Sequence, residues 1–276
     1  MASPSSTTKP YKGHTYRALF RINLMESFAY RTQNVVWVLV GAAPTLFAIA
    51  AWLAVYGTGK KVGDFTRGDI ITYYLVVGLA WYVIGGRINM QIARAIKDGT
   101  LAQRLLKPFV ALAEWVIAEQ TWKLVSLGLA LPVYAAVVFF FRDDLHLNLT
   151  VARTLLAILA TVLAASLFIV LEVILGITAF WSTDTRHTFE LYDIILVLAS
   201  GELVPLALCP SWLFAVLTAA PFRYTFSFPV EVLLNKIGPG GIAAGFALQI
   251  GWLVVLVLLA RLLWSRGLRR YSAAGL

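Results

Sequence analysis

Long apolar runs alternate along the chain with short polar segments, most of them basic. The runs are Val35–Tyr56, Ile70–Met90, Trp115–Phe141, Thr154–Trp181, a weaker Leu191–Gly201, and Gly241–Trp264. A helix needs about 20 mostly apolar residues to cross a bilayer. The strands of outer-membrane barrels are shorter and alternate in polarity. The pattern therefore predicts an all-α polytopic membrane protein with six transmembrane helices. Leu203–Phe222, LVPLALCPSWLFAVLTAAPF, carries no charge but is interrupted by Pro205, Pro210 and Pro221. Each proline removes a helical hydrogen bond or bends the helix. The expectation is an outer re-entrant helical hairpin between spans five and six, covered by protein or water, since irregular backbone persists at membrane depth only there. A rival assignment makes Leu203–Phe222 the fifth span in place of Leu191–Gly201.

The N-terminus divides in two. Residues 1–10 are small and polar and are expected to be disordered. Residues 11–33 are expected to hold an amphipathic surface helix, with Phe20, Leu24 and Phe28 at i, i+4 and i+8 and Arg17 and Arg21 on another face. The simpler alternative is a cytoplasmic extension of the first span. Residues 34–276 then form one transmembrane domain. A cleaved signal ending at Ala48-Ile49-Ala50 fits poorly, because the apolar run continues through Tyr56.

Composition agrees with the pattern. The chain is 60% hydrophobic and 13% charged, against roughly 25% charged for a soluble domain. Its net charge of +9 comes from basic residues flanking the apolar runs, and nothing resembles a nucleic-acid signature. Basic residues favour the cytoplasmic side. With six spans and both termini cytoplasmic, inner segments hold 15 basic residues and outer segments 7. Counting Leu203–Phe222 as a seventh span changes this to 13 and 9, a weaker bias. The implied location is the cytoplasmic (plasma) membrane, the inner membrane of a cell with two. Cys209 is the one cysteine, so no intramolecular disulfide can form.

Motifs of self-contained chemistry are missing. Gly59-Lys60 is followed by Lys61 where a phosphate-binding loop needs Ser or Thr. His14, His146 and His187 are scattered without cysteine neighbours, so no zinc pattern arises. Neither G-x-S-x-G nor H-E-x-x-H occurs. Asn148-Leu149-Thr150 fits a glycosylation triplet that is common by chance. An active site, metal or cofactor held wholly by this chain is not expected. Among charges inside apolar runs, Glu119 and Lys123 stand at i, i+4 in the acid-first order that favours pairing. With Trp115 and Trp122 they are read as marking the inner interface. Glu172 lies deep in the fourth run and must face protein or water. Two readings stay open for it, a substrate or proton site and a hydrogen-bonded packing residue. Glu202 begins the hairpin and is placed to face an outer vestibule. Pro44 and Pro132 are expected to kink their helices.

Between the second and third runs lies IKDGTLAQRLLKP, residues 96–108. Gly99 breaks the helix arriving from Arg94, and Thr100 is suited to cap a new one. Leu101, Leu105 and Leu106 give that helix an apolar face beside Arg104 and Lys107, and Pro108 ends it. Such a helix fits a partner's groove or the lipid surface.

Four stretches together resemble the ABC-2 type transporter permeases, of the branch formerly classed as a domain of unknown function. IKDGTLAQRLLKP fits the pattern I-x-x-G-x-L-x-x-x-L-L-x-P. AFWSTDT ends the fourth run. LASGELVPLALCPSWLFAVLTAAPFRYTFSFPVEV carries Gly201, Pro205, Pro210, Pro221, Phe222 and Pro229, and LWSRGLRRYSAAG closes the chain. Glu202 departs from the pattern, where a small or apolar residue is usual. The resemblance implies a permease that supplies half of a pathway and pairs with a second copy or a related subunit. Two separate ABC ATPase subunits would bind ATP and Mg. Gly99, Thr100, Leu101, Arg104, Leu105 and Leu106 would form the coupling helix that docks on the ATPase. The hairpin would close the pathway outside, and export would be the direction. Two other functions stay open, a membrane enzyme acting on a lipid-linked substrate with Glu172 or Glu202 catalytic, and a proton-coupled secondary transporter using Glu172.

Overall fold

The computed structural model describes residues 14–57, 62–63, 65–106, 111–145 and 150–273. The expected disorder of residues 1–10 and the roles of Lys107 and Pro108 fall outside these residues. Eleven α-helices follow in order among the described residues: α1 (His14–Ala29), α2 (Arg31–Tyr56), α3 (Arg67–Ile84), α4 (Ile88–Lys97), α5 (Thr100–Leu105), α6 (Ala111–Phe140), α7 (Val151–Ile177), α8 (Arg186–Ala199), α9 (Ser211–Ala219), α10 (Ser227–Leu233) and α11 (Pro239–Ala273). Short 3₁₀ turns occupy Thr178–Phe180, Leu206–Leu208 and Pro221–Tyr224.

Five stretches are long and apolar enough to cross a membrane: Thr32–Tyr56, Arg67–Lys97, Leu112–Phe140, Val151–Phe180 and Pro239–Tyr271. Six were expected. The weak fifth run became α8, whose 14 residues reach only about 21 Å. It stops because Gly201 turns the chain with φ +86°, and Pro205 prevents a clean restart. Nor is Leu203–Phe222 one span. The chain there forms a 3₁₀ turn, then α9, then a second 3₁₀ turn.

Local chemistry sets several boundaries. Thr66 caps α3 by accepting from the Asp69 amide, while Asp69 accepts from the Thr66 amide, a reciprocal box. Thr150 caps α7. A turn at Tyr30 separates α1 from α2, and Asn34 Nδ2 donates to Ser27 O at 2.7 Å across it. Thus α1 is a helix of its own, packed against α6, with Phe20 and Phe28 exposed. Pro44 and Pro132 lie inside continuous helices.

Packing forms three buried clusters. The first joins α2, α3 and α6 around Tyr73, Tyr74, Tyr82 and Tyr134. Its polar groups are paired: Tyr82 donates to Val38 O, Trp52 to Tyr74, and Thr45 shares a bond with Tyr134. The second packs α7, α10 and α11 on α3 around Phe168, Phe226 and Phe228. The third joins α4, α5 and the starts of α6 and α8 to the end of α7, around Ile92, Leu101 and Phe180. Gly176 permits the close α4–α7 approach, since a Cβ there would meet Ile92 Cβ at 2.7 Å.

Candidate functional site

The segment between α4 and α5 turns where the sequence suggests. In α4, Ile88, Ile92, Ala93, Ala95 and Ile96 are buried while Gln91, Arg94 and Lys97 are exposed. Its end is fixed by Gly99, whose φ of +73° lies in the left-handed region. A β-carbon disfavours that region, and glycine tolerates it. Two expectations change. The N-cap of α5 is Gly99, not Thr100, and Thr100 Oγ1 instead points back to Ala95 O at 3.5 Å. The three leucines also divide. Leu101 is fully buried, whereas Leu105 and Leu106 are 44% and 87% exposed. Arg104 is held within the chain, 2.8 Å from the Glu114 carboxylate and stacked over Trp115. At the same end, Lys97 Nζ donates to Thr185 Oγ1 at 3.0 Å and ties α4 to the α7–α8 connection. In that connection the Arg186 amide donates to Asp184 and holds its carboxyl below the usual range, with His187 3.2 Å away.

Glu119, Lys123 and Glu172 meet where the second span breaks. Residues 85–87, Gly-Gly-Arg, interrupt it between α3 and α4. A broken helix leaves carbonyls at one end and amides at the other without partners. Lys123 Nζ donates to Ile84 O, the last carbonyl of α3, at 2.9 Å. The Asn89 amide in the first turn of α4 donates to Glu172 Oε2 at 3.3 Å. Glu119 lies over the break, so close that a Cβ on Gly86 would sit 2.6 Å from Oε1. The cation thus serves a helix C-terminus and an anion an N-terminus, the signs that helix dipoles favour. All three side chains are buried. Glu119 and Lys123 are therefore buried within the protein, and Glu172 has the structural partner that one of its two readings required.

Beyond α8 the chain packs onto α3, α7 and α11. Gly201 O accepts from Tyr73 at 2.6 Å and Leu203 O accepts from Tyr74 at 2.6 Å. A Cβ on Gly201 would meet the Tyr73 hydroxyl at 2.8 Å. Glu202 accepts from the Trp81 indole. Pro205 and Pro210 precede the 3₁₀ turn and α9, while Cys209 between them is partly buried. The far end of α9 is pinned to the middle of α11, where Trp252 donates to Ala219 O at 2.9 Å. Gln249 Nε2 bridges Tyr224 O and Ala160 O, each at 3.0 Å. Pro221 opens the turn at the tip, and Phe222 O accepts from Thr225. Pro229 is buried in α10 as the chain returns. Lys236 then reaches Asp69 at 2.9 Å and Arg153 reaches Ile237 O at 3.1 Å, beside the starts of α3 and α7.

Sequence reasoning missed an ion pair within this hairpin. Arg223 lies 2.6 Å from Glu231, whose other oxygen accepts from Ser227 at 2.7 Å, and Arg223 stacks over Phe214. The available signal was the presence of two opposite charges inside an otherwise apolar hairpin. Gln249 was missed too, although it is the lone amide in the middle of the last run.

These elements define a multi-pass helical membrane protein whose buried charges cap a broken helix and pair across the turn between α9 and α10. The profile of the ABC-2 family transporter proteins matches residues 42–275, most of the chain. The chain belongs to that family and is an ABC-2 type permease. A search of curated proteins returns no match.

Proposed function

We propose that this chain is the transmembrane subunit of an ATP-driven ABC exporter, working as a pair with a second copy or a related permease. Both termini face the cytoplasm. ATP and Mg bind separate ATPase subunits, and catalysis belongs to them. Helix α8 with the bend after it serves as a short fifth span, α1 lies at the inner membrane surface, and α9 and α10 form the outer re-entrant hairpin. The observation that carries this reading, beside the family, is the joint at Gly99. It ends helix α4, which is packed on α7, and leaves Leu105 and Leu106 exposed at the end of α5. An exposed leucine pair on a short helix at a rigid element's end suits a groove on a partner. Closing of the ATPase pair would move α5 and α4 together and bias the bundle between two arrangements.

The test is reconstitution with the cognate ATPase. Leu105→Asp and Leu106→Asp change exposed side chains and should leave the permease folded. They are expected to abolish co-purification with the ATPase, or to separate ATP hydrolysis from transport. Full coupling in both would remove α5 from the coupling role. Leu101 and Arg104 serve this test less well, because their side chains hold α5 to the rest of the chain.

A further inference from the structure

Helix α1 does not lie flush on α6. The two pack together, but near the start of α1 they part around an open cleft of about 350 Å³, lined by Tyr16, Arg17, Phe20, Val116, Ile117 and Gln120. Each helix supplies three of these at i, i+1 and i+4, so each turns one edge toward the gap. Phe20, Val116 and Ile117 make its walls apolar.

Polar side chains near the cleft fall into two groups. Asn23 and Ser27 of α1 and Thr121 of α6 bond to carbonyls of their own helices, at 2.8, 2.9 and 2.7 Å. Tyr16, Arg17 and Gln120, which line the cleft, make no side-chain hydrogen bond or ion pair among the described residues. The carboxylates of α6 nearest in sequence are engaged elsewhere: Glu114 lies 2.8 Å from Arg104, and Glu119 sits over the break at Gly86. Arg17 is exposed, and Arg21, exposed as well, follows one turn later on the same side. The cleft is thus an apolar slot with an unmatched cation at its rim. Its level in the membrane follows from α6. Val116 to Gln120 lie about 8–14 Å from the start of that helix. Trp122, exposed just beyond, is the kind of side chain that sits at the headgroup boundary. On the proposed orientation this boundary belongs to the cytoplasmic leaflet, which carries anionic lipid.

We propose that the α1–α6 cleft binds one anionic phospholipid, with its phosphate at Arg17 and an acyl chain against Phe20, Val116 and Ile117. A soluble anion uses the cation and leaves the apolar walls wet. A neutral lipid uses the walls and leaves the cation unmatched. Tyr16 and Gln120 offer donors to the glycerol and ester oxygens between the two. The proposal takes from the permease reading only that α1 lies at the inner surface, and adds a lipid ligand.

The experiment is native mass spectrometry of the purified full chain in detergent. It is titrated with dioleoylphosphatidylglycerol, or with dioleoylphosphatidylcholine, which has the same chains and no net charge. Retention of one phosphatidylglycerol per chain is expected, about fivefold stronger than of phosphatidylcholine, the scale of one basic residue meeting anionic lipid. Arg17→Gln should remove that preference and leave phosphatidylcholine retention unchanged. Ile117→Trp, which fills the slot and keeps the cation, should lower retention of both lipids. Arg266→Gln, at an exposed arginine near the end of α11, should change neither. Glycerol phosphate, a headgroup without chains, should not compete; competition at equal concentration would assign the site to a free phosphate and overturn the lipid. Equal retention of the two lipids, an unchanged preference in Arg17→Gln, or no retained lipid also overturns the proposal. The last result is what a second copy or the chain's own N-terminal residues seated in the cleft would give. If Ile117→Trp fails to fold, Arg17→Gln decides alone, since its side chain is exposed. Micelles offer lipid to both ends of the protein and hold no ATPase. Neither an inverted orientation nor a failed coupling role can therefore produce these failures.

Discussion

Lys123 is the clearest case of a charge that the interior tolerates because backbone needs it. Replaced by Met, it leaves Ile84 O and Glu119 buried without their cation. A loss of about 3 kcal/mol is expected, seen as a lower melting temperature in detergent. Adding Glu119→Gln should return part of it, because the uncompensated carboxylate is then gone, and a double-mutant cycle reads the coupling. Glycines give a second contrast. Both Gly57 and Gly201 have positive φ, but a Cβ on Gly57 meets nothing within 4 Å while one on Gly201 meets Tyr73 and Ser227. Gly57→Ala should cost about 1–3 kcal/mol from backbone strain, and Gly201→Ala clearly more, by the same melting measurement. The Glu119–Lys123 spacing was legible because helix periodicity puts i and i+4 together. The carbonyl that Lys123 serves was not, since Ile84 is 39 residues away and only the folded chain brings it near.

Helices and their connections show the same division. The left-handed joint at Gly99 was readable, because only glycine takes that turn without strain. Which leucine turned inward was not, because it depends on Ile92, Trp115 and Phe180 packing around Leu101. The break of Leu203–Phe222 into short helical pieces was readable from its prolines, but its anchor was not. Gln249 holds the tip through two carbonyls from separate segments. Gln249→Leu should therefore loosen the hairpin while leaving α11 helical. Expected are a stability loss of about 1–2 kcal/mol and faster hydrogen exchange confined to residues around Ala219–Tyr224. Uniform protection across the hairpin in the variant would show that the anchor is dispensable.

Across the whole molecule, apolar run length located the membrane segments but could not show which were whole. Arg67–Lys97 passes as one span and is two helices, while Leu191–Gly201 passes as a weak span and is a helix of 14 residues with a bend. Both differences come from glycines that end a helix inside apolar sequence, where hydropathy alone is blind. The proposed topology has a direct check, because Cys209 is the sole cysteine and lies in the hairpin. A membrane-impermeant maleimide applied to intact cells should label it, and inside-out vesicles should not be labelled. The reverse pattern would invert the orientation.

The interruption at residues 85–87 has a mechanical meaning. An unbroken helix behaves as a rod, and a push at one end arrives undiminished at the other. Here the rod is cut, and each cut end is fastened to a different neighbour: the end of α3 to α6 through Lys123, the start of α4 to α7 through Glu172. Under the proposed coupling role of α5, a displacement entering there would not be carried straight up the same helix. It would swing α4, about 15 Å long, around a pinned point and pass sideways to α7. Coupling would then change partners partway through, with α3, fastened to α6, as the frame against which the rest turns.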